Sequence, residues 1–214
     1  FTSRYDGGEY ATFLLTQDMH AFNAKSWGMS RNEAKAPAYA LAYQCSWMKI
    51  KDLLKCSEQK AQDIWNKYWD DRPALKCLIE DLENAVIKRG QASRGKNGNC
   101  RLNENSKPWI KGIDGRRLYV RSAHSLKNTL IQNAGMTAVK VAMNYIFEQL
   151  ELQNIDARVA IVYHDESQII CNESDVAKIE QIIKESMAIA KKELDLQVDL
   201  AYSISIGKNW AMTH

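Results

Sequence analysis

Apolar positions recur at helical spacing through the first half of the chain and alternate through much of its last third. Ser30 followed by Glu33 is a capping-box pattern that opens a helix from Arg31 to about Cys45, with Pro37 inside it as a kink signal. Ile64, Trp65, Tyr68 and Trp69 mark a second helix over residues 57–70, Arg72-Pro73 breaks the pattern, and residues 74–89 resume it. Residues 90–106, rich in Gly, Asn, Ser and basic side chains, read as an exposed loop. Trp109 to Val120 alternates around the turn signal Asp114-Gly115, which predicts a short hairpin before a long helix over about Ser125–Leu150.

Beyond residue 157 the pattern changes. Arg158–Tyr163 and Ser167–Cys171 read as strands, Asp175–Glu193 as an amphipathic helix, and Leu196–Ile206 as at least one further strand. The fold class is therefore α+β, helices first and a hairpin–helix–strand layer after them.

The chain has 214 residues, 45% of them hydrophobic, enough for one large or two small cores. No run reaches the roughly 18 apolar residues of a membrane span and the first 30 residues lack a signal-peptide pattern, so a cytoplasmic setting without a membrane partner is expected, the host cytoplasm if the protein is viral. Five cysteines with no CxxC pair point to reduced thiols rather than a disulfide framework or a zinc site. The net charge of +3 says little by itself. Between Lys88 and Arg121, however, Lys88, Arg89, Arg94, Lys96, Arg101, Lys107, Lys111, Arg116, Arg117 and Arg121 face only Glu104 and Asp114 within the same stretch. A solvated loop or a phosphate-tracking surface would both carry such charge.

Two constellations carry candidate chemistry. Tyr163-His164-Asp165-Glu166 places polar residues between two apolar strands. Carboxylates at a hairpin tip suit a hard divalent cation such as Mg²⁺, with Asp165 the natural ligand, although a solvated turn has the same composition. Two such ions roughly 4 Å apart serve phosphoryl transfer to a sugar hydroxyl, and they require carboxylates from more than one strand. Arg31, Lys35, Tyr39 and Tyr43 stand at four-residue intervals, two cations and then two aromatics along one helix face. That order suits a nucleoside triphosphate, cations to phosphates and aromatic to sugar and base, with His20 a further phosphate contact. An ordinary amphipathic helix would also show it.

Taken in order, the motifs resemble family A DNA polymerases, and among them the bacteriophage replicative type. The pieces are Arg4-Tyr5-Asp6-Gly7-Gly8-Glu9-Tyr10; Asp18-Met19-His20; the Arg31–Tyr43 face, similar to motif B; Gly112-Ile113-Asp114-Gly115-Arg116-Arg117 with Val120-Arg121-Ser122; His124, Asn128 and Gln132 before Asn133-Ala134-Gly135; Tyr163 to Gln168, similar to motif C; and Gly207-Lys208-Asn209-Trp210 through His214.

The resemblance implies a right-hand polymerase fold in incomplete form. Residues 1–118 would be a helical fingers subdomain, its first residues the end of a palm helix, and residues 119–214 part of an antiparallel-sheet palm. It implies a DNA-directed DNA polymerase that transfers a nucleotide from dNTP to a primer 3′ end by a two-metal mechanism with Mg²⁺. His20, Arg31 and Lys35 would bind the triphosphate, Tyr39 would pack on its sugar and Tyr43 would lie by the templating pair. Asp165 would be a catalytic metal ligand and Glu166 an accessory acid. His164 would lie near the primer terminus, while His124, Asn128 and Gln132 would contact primer-template DNA. Amide donors can test pair geometry in the minor groove without reading sequence, because its acceptors sit at similar places on every correct pair.

The sequence also departs from the family. Motif A and its aspartate would precede Phe1, as would the thumb, so activity is expected to need an N-terminal fragment or partner subunit. Ala40 and Gln44 occupy the positions after the two aromatics where the family places glycine, and Pro37 interrupts the motif B helix. A piece of a longer polymerase, a split-polymerase subunit and a non-catalytic primer-template or nucleic-acid-binding module all satisfy these observations.

Overall fold

The computed structural model describes residues 1–213, the side chain of Glu104 excepted. Contacts divide the chain into two compact units, Phe1–Lys111 with Arg117–Leu130, and Gly112–Arg116 with Ile131–His214. Helices and small antiparallel hairpins make up both, as the expected α+β class requires.

The first unit begins with helices α1 (Ser3–Asp6), α2 (Glu9–Thr16), α3 (Met19–Trp27), α4 (Arg31–Ala42), α5 (Trp47–Leu54), α6 (Glu58–Asp70) and α7 (Pro73–Lys88). Local chemistry sets their ends. Asp18 caps α3 by accepting from the N–H groups of His20 and Ala21. The Ser30–Glu33 capping box opens α4 with both of its reciprocal bonds present, and Ser57 caps α6. Pro73 starts α7 at the position where a missing N–H costs nothing.

Helix α4 runs through Pro37 to Ala42 without a break. The proline removes one internal bond, but its ring lies on the buried face with Ala34, Ala38 and Leu41, so packing offsets the loss. These mostly small residues meet a core of Trp27, Ile50, Ala61, Ile64, Tyr68, Leu78 and Val86. Arg72, only 3% exposed, ties α3 to α6 by donating to Asn23 Oδ1 at 2.7 Å and to the Tyr68 carbonyl at 3.0 Å, with its guanidinium 4.0 Å from the Tyr68 ring centre.

Residues 90–106 are not a plain loop. Strands β1 (Ala92–Arg94) and β2 (Cys100–Leu102) pair antiparallel around a turn where Gly98 adopts φ +76°, and a short 3-10 turn follows at Glu104–Ser106. The expected second hairpin forms from β3 (Trp109–Lys111) and β4 (Arg117–Tyr119). Trp109 receives both Arg89 and Arg117 against its ring, at 4.2 and 4.8 Å from the centroid.

Helix α8 (Ser125–Leu152) begins in this unit and continues into the second. There it contributes Met143, Ile146 and Leu150 to a smaller core with Ile155 and with Ile179 and Ile182 of α9 (Val176–Glu193). Strands β5 (Ala157–Tyr163) and β6 (Glu166–Cys171) form an antiparallel pair whose Ala157, Val159, Ile169 and Cys171 pack on that core. Val159 pairs with Ile169 but Ile161 with Gln168, so Ala160 is a bulge. Beyond it Ile161, Val162 and Tyr163 are exposed, as is Ile170.

The expected strand within 196–206 is absent among the described residues, where that stretch has no regular structure. Its alternation of apolar and polar side chains meets no neighbouring strand among the described residues, and a strand requires a partner for its backbone groups. Helix α10 (Trp210–Thr213) ends the description, so His214 of the C-terminal motif lies outside it. No described helix is long and apolar enough to cross a membrane.

Candidate functional site

Arg31 opens α4, Lys35 and Tyr39 follow at one-turn intervals, and Tyr43 takes the C-cap position. Because Ala34, Pro37, Ala38 and Leu41 occupy the inner face, these four residues fall on the other side. Tyr39 is 58% exposed and Tyr43 55%, Arg31 is exposed, and Lys35 is half-buried.

Helix α3 supplies two further groups to this face. The His20 ring meets the Tyr39 ring edge-on with centroids 5.3 Å apart, and its Nδ1 is buried without a partner among the described residues. Asp18 uses one carboxylate oxygen to cap α3 and the other to accept from Arg31 Nε at 2.7 Å. The backbone N–H of Ala21 and the Arg31 guanidinium together hold the Asp18 carboxyl below its ordinary pKa. His20, Arg31, Lys35 and Tyr39 are thus presented by two adjoining helices of the first unit.

Helix α4 ends in a Schellman motif. The Cys45 N–H reaches the Ala40 carbonyl at 3.0 Å and the Gln44 N–H reaches the Leu41 carbonyl at 2.8 Å. Gln44 sits at the left-handed position of that motif, φ +61°, where glycine is the residue without steric cost. A glutamine in place of glycine therefore leaves the turn geometry intact and loads it with a side chain. Lys127, which the sequence reading passed over, lies in the first turn of α8 and donates from Nζ to the Ala42 carbonyl. The signal for it was a lysine in the apolar series Ala123, Lys127, Leu130, Ala134.

His124 is exposed just before α8, Asn128 is half-buried in its first turn, and Gln132 is exposed one turn further on, within the second unit. Several cations of the 88–121 region have internal partners. Arg94 pairs with Glu83 of α7, a partner outside that stretch of sequence, and Arg116 pairs with Asp114.

In the second unit, His164 and Asp165 form the two-residue loop between the paired residues Tyr163 and Glu166. His164 has φ +54°, in the left-handed region that glycine enters at least cost. The His164 and Tyr163 rings lie 4.3 Å apart, edge to face, and Glu166 Oε1 accepts from Gln168 Nε2 at 2.7 Å. Asp165 and Glu166 are both exposed. Among the described residues no three His, Cys, Asp or Glu side chains come together as a metal cage. The hairpin offers the hard oxygen donors that Mg²⁺ accepts, one or two carboxylates at a time, and so fits as part of a coordination sphere.

The model of DNA polymerase family A matches residues 10–212. The chain belongs to that family. Similar family members include DNA-directed DNA polymerases of Enterobacteria phage T3 and Escherichia phage T7, each 27% identical over 100% of this chain and 31% of its own length. The family A chain thus spans about a third of these relatives. The solved POL domain of Pol1 from M. smegmatis, in complex with DNA primer-template and dNTP, aligns with TM-score 0.61 at 20% identity, covering 84% of this chain and 32% of that one. At that identity the likeness supports the fold.

Proposed function

We propose that this family A chain is the fingers and part of the palm of a DNA-directed DNA polymerase, adding dNTP to a primer 3′ end on a DNA template. The observation that carries the reading is the cluster on α3 and α4. Arg31, Lys35 and Tyr39 follow one another at one-turn intervals on α4, and the His20 ring of α3 meets the exposed Tyr39 ring edge-on.

Arg31 and Lys35 bind the triphosphate. With Nε engaged by Asp18, Arg31 keeps its terminal guanidinium nitrogens for phosphate oxygens. His20 adds a phosphate contact, Tyr39 packs on the sugar, and Tyr43 lies by the templating pair. Asp165 would hold a divalent ion with Glu166 as accessory acid, His164 would lie near the primer terminus, and His124, Asn128 and Gln132 would contact the primer-template. A pair of Mg²⁺ ions, when bound, supplies charge stabilisation at the attacking and leaving oxygens. An N-terminal portion or partner contributes the remaining aspartate and the thumb.

Primer extension tests this directly. The chain joined to the remaining two thirds of the length that its relatives have is expected to extend a labelled primer with four dNTPs and Mg²⁺, releasing pyrophosphate. Template-binding without any extension would contradict it and favour a non-catalytic module.

A further inference from the structure

We propose that Lys127 is a positioning residue for nucleotide binding: its ammonium caps the C-terminal end of α4 and fixes the half of that helix carrying Tyr39 and Tyr43. The inference rests on the nucleotide-binding reading of the α4 face.

The carbonyls at the end of α4 can be accounted for one by one. Tyr39 O takes the Tyr43 N–H, Ala40 O takes Cys45 and Leu41 O takes Gln44. Ala42 O has no backbone donor among the described residues, and Lys127 Nζ supplies one from 85 positions away in sequence. The lysine is 2% exposed and no carboxylate pairs with it among the described residues. Its charge is therefore compensated by the negative end of the α4 dipole and by that carbonyl. Burial also lowers its pKa, to about 8, which shows that the charge is held there at a cost. An aliphatic side chain would fill the same stripe of α8 without that cost, so what the lysine donates to explains its presence.

Position matters because of Pro37. The helix before it is anchored by the Ser30–Glu33 box and by Asp18 on Arg31. The proline removes one bond of the ladder that joins that half to the next, and the inner face beyond it offers only Ala38 and Leu41 as buried anchors. Lys127 holds the far end.

The experiment titrates dATP into the 214-residue chain and follows amide hydrogen exchange at Tyr43, Gln44 and Cys45. Lys127→Met is expected to raise the dATP Kd about five- to tenfold and to speed exchange at these amides about tenfold, as loss of a charge-assisted cap implies. The urea midpoint should stay near wild type, because the lost cap is offset by relief of desolvation. Lys127→Arg, which keeps a charged donor, should recover most of the affinity; a merely structural lysine would give no such rescue. Wild-type affinity and exchange in Lys127→Met would overturn the proposal while leaving the nucleotide reading intact. If the wild-type chain itself fails to bind dATP, that reading falls and takes the proposal with it. Should Lys127→Met not fold, Lys127→Gln serves, with a weakened affinity expected and a wild-type Kd overturning the role of the charge.

Discussion

Asp18 Oδ2 accepts from Arg31 Nε at 2.7 Å, joining the N-terminus of α3 to the first turn of α4. Both side chains are substantially exposed, so the pair contributes little to stability and acts chiefly by aiming the guanidinium. Asp18→Asn keeps a cap acceptor for α3 and loses the ion pair. It is expected to weaken dATP binding severalfold with little change in Tm, whereas Asp18→Ala lowers both. Because the folded carboxyl has a lowered pKa, its contribution is present above the ordinary aspartate range and is lost as the pH falls through the folded value. Titration calorimetry with the two variants separates cap from pair.

Helices α3 and α4 end alike, with Gly28 at φ +64° in one and Gln44 at φ +61° in the other. Gln44 bears the steric cost of a left-handed conformation and its buried Oε1 lacks a donor among the described residues. Gln44→Gly should therefore raise stability by about 1 kcal/mol, read from urea unfolding. A loss of stability would show that the amide has a partner that matters more than the backbone.

Lys127 gives a distinctive pH dependence. Its pKa falls from 10.5 to about 8 in the folded chain because of burial. Below about 8 both states hold the proton and the cost of burying the charge is fully present; from there to about 10.5 the unfolded chain binds more protons, so this contribution raises stability as the pH rises. Burial pushes Tyr5 and Tyr68 up to about 12, which acts in the opposite sense at high pH, so the quantity to measure is wild type minus Lys127→Met. That difference should move in favour of wild type between pH 7 and 10, by about 3 kcal/mol at most. A flat difference would contradict the burial of a charged lysine.

Arg72 is the polar centre of the first unit. Arg72→Ala removes the bonds to Asn23 and the Tyr68 carbonyl and leaves those buried acceptors unpaired, at a cost of about 3 kcal/mol or more in chemical denaturation. Arg72→Lys should recover only a part, since one ammonium cannot span both acceptors and the tyrosine face.

What the sequence made legible was what short-range chemistry decides. The Ser30–Glu33 box, the Arg72-Pro73 break and the Asp114-Gly115 turn each act within a few residues and appear where the pattern places them. The β1–β2 hairpin is too short for an alternation to show, and its glycines and asparagines read equally well as loop. The Arg94–Glu83 pair and the Lys127–Ala42 bond join positions whose proximity only the tertiary fold creates. At 196–206 the opposite holds: the alternation is plain, yet no second strand pairs with it among the described residues. The motif B departures were visible as letters, but that Gln44 adopts the glycine conformation and that α4 continues through Pro37 are properties of the folded backbone.

The central claim is that the Tyr163–Glu166 turn serves nucleotidyl transfer, and Asp165→Ala tests it most directly. In a polymerase that carries this chain and spans the full length of its relatives, primer extension at saturating dNTP and Mg²⁺ should fall by about a thousandfold or more, while primer-template affinity stays within about threefold. Extension at the wild-type rate in Asp165→Ala would contradict the assignment of this turn to the active site.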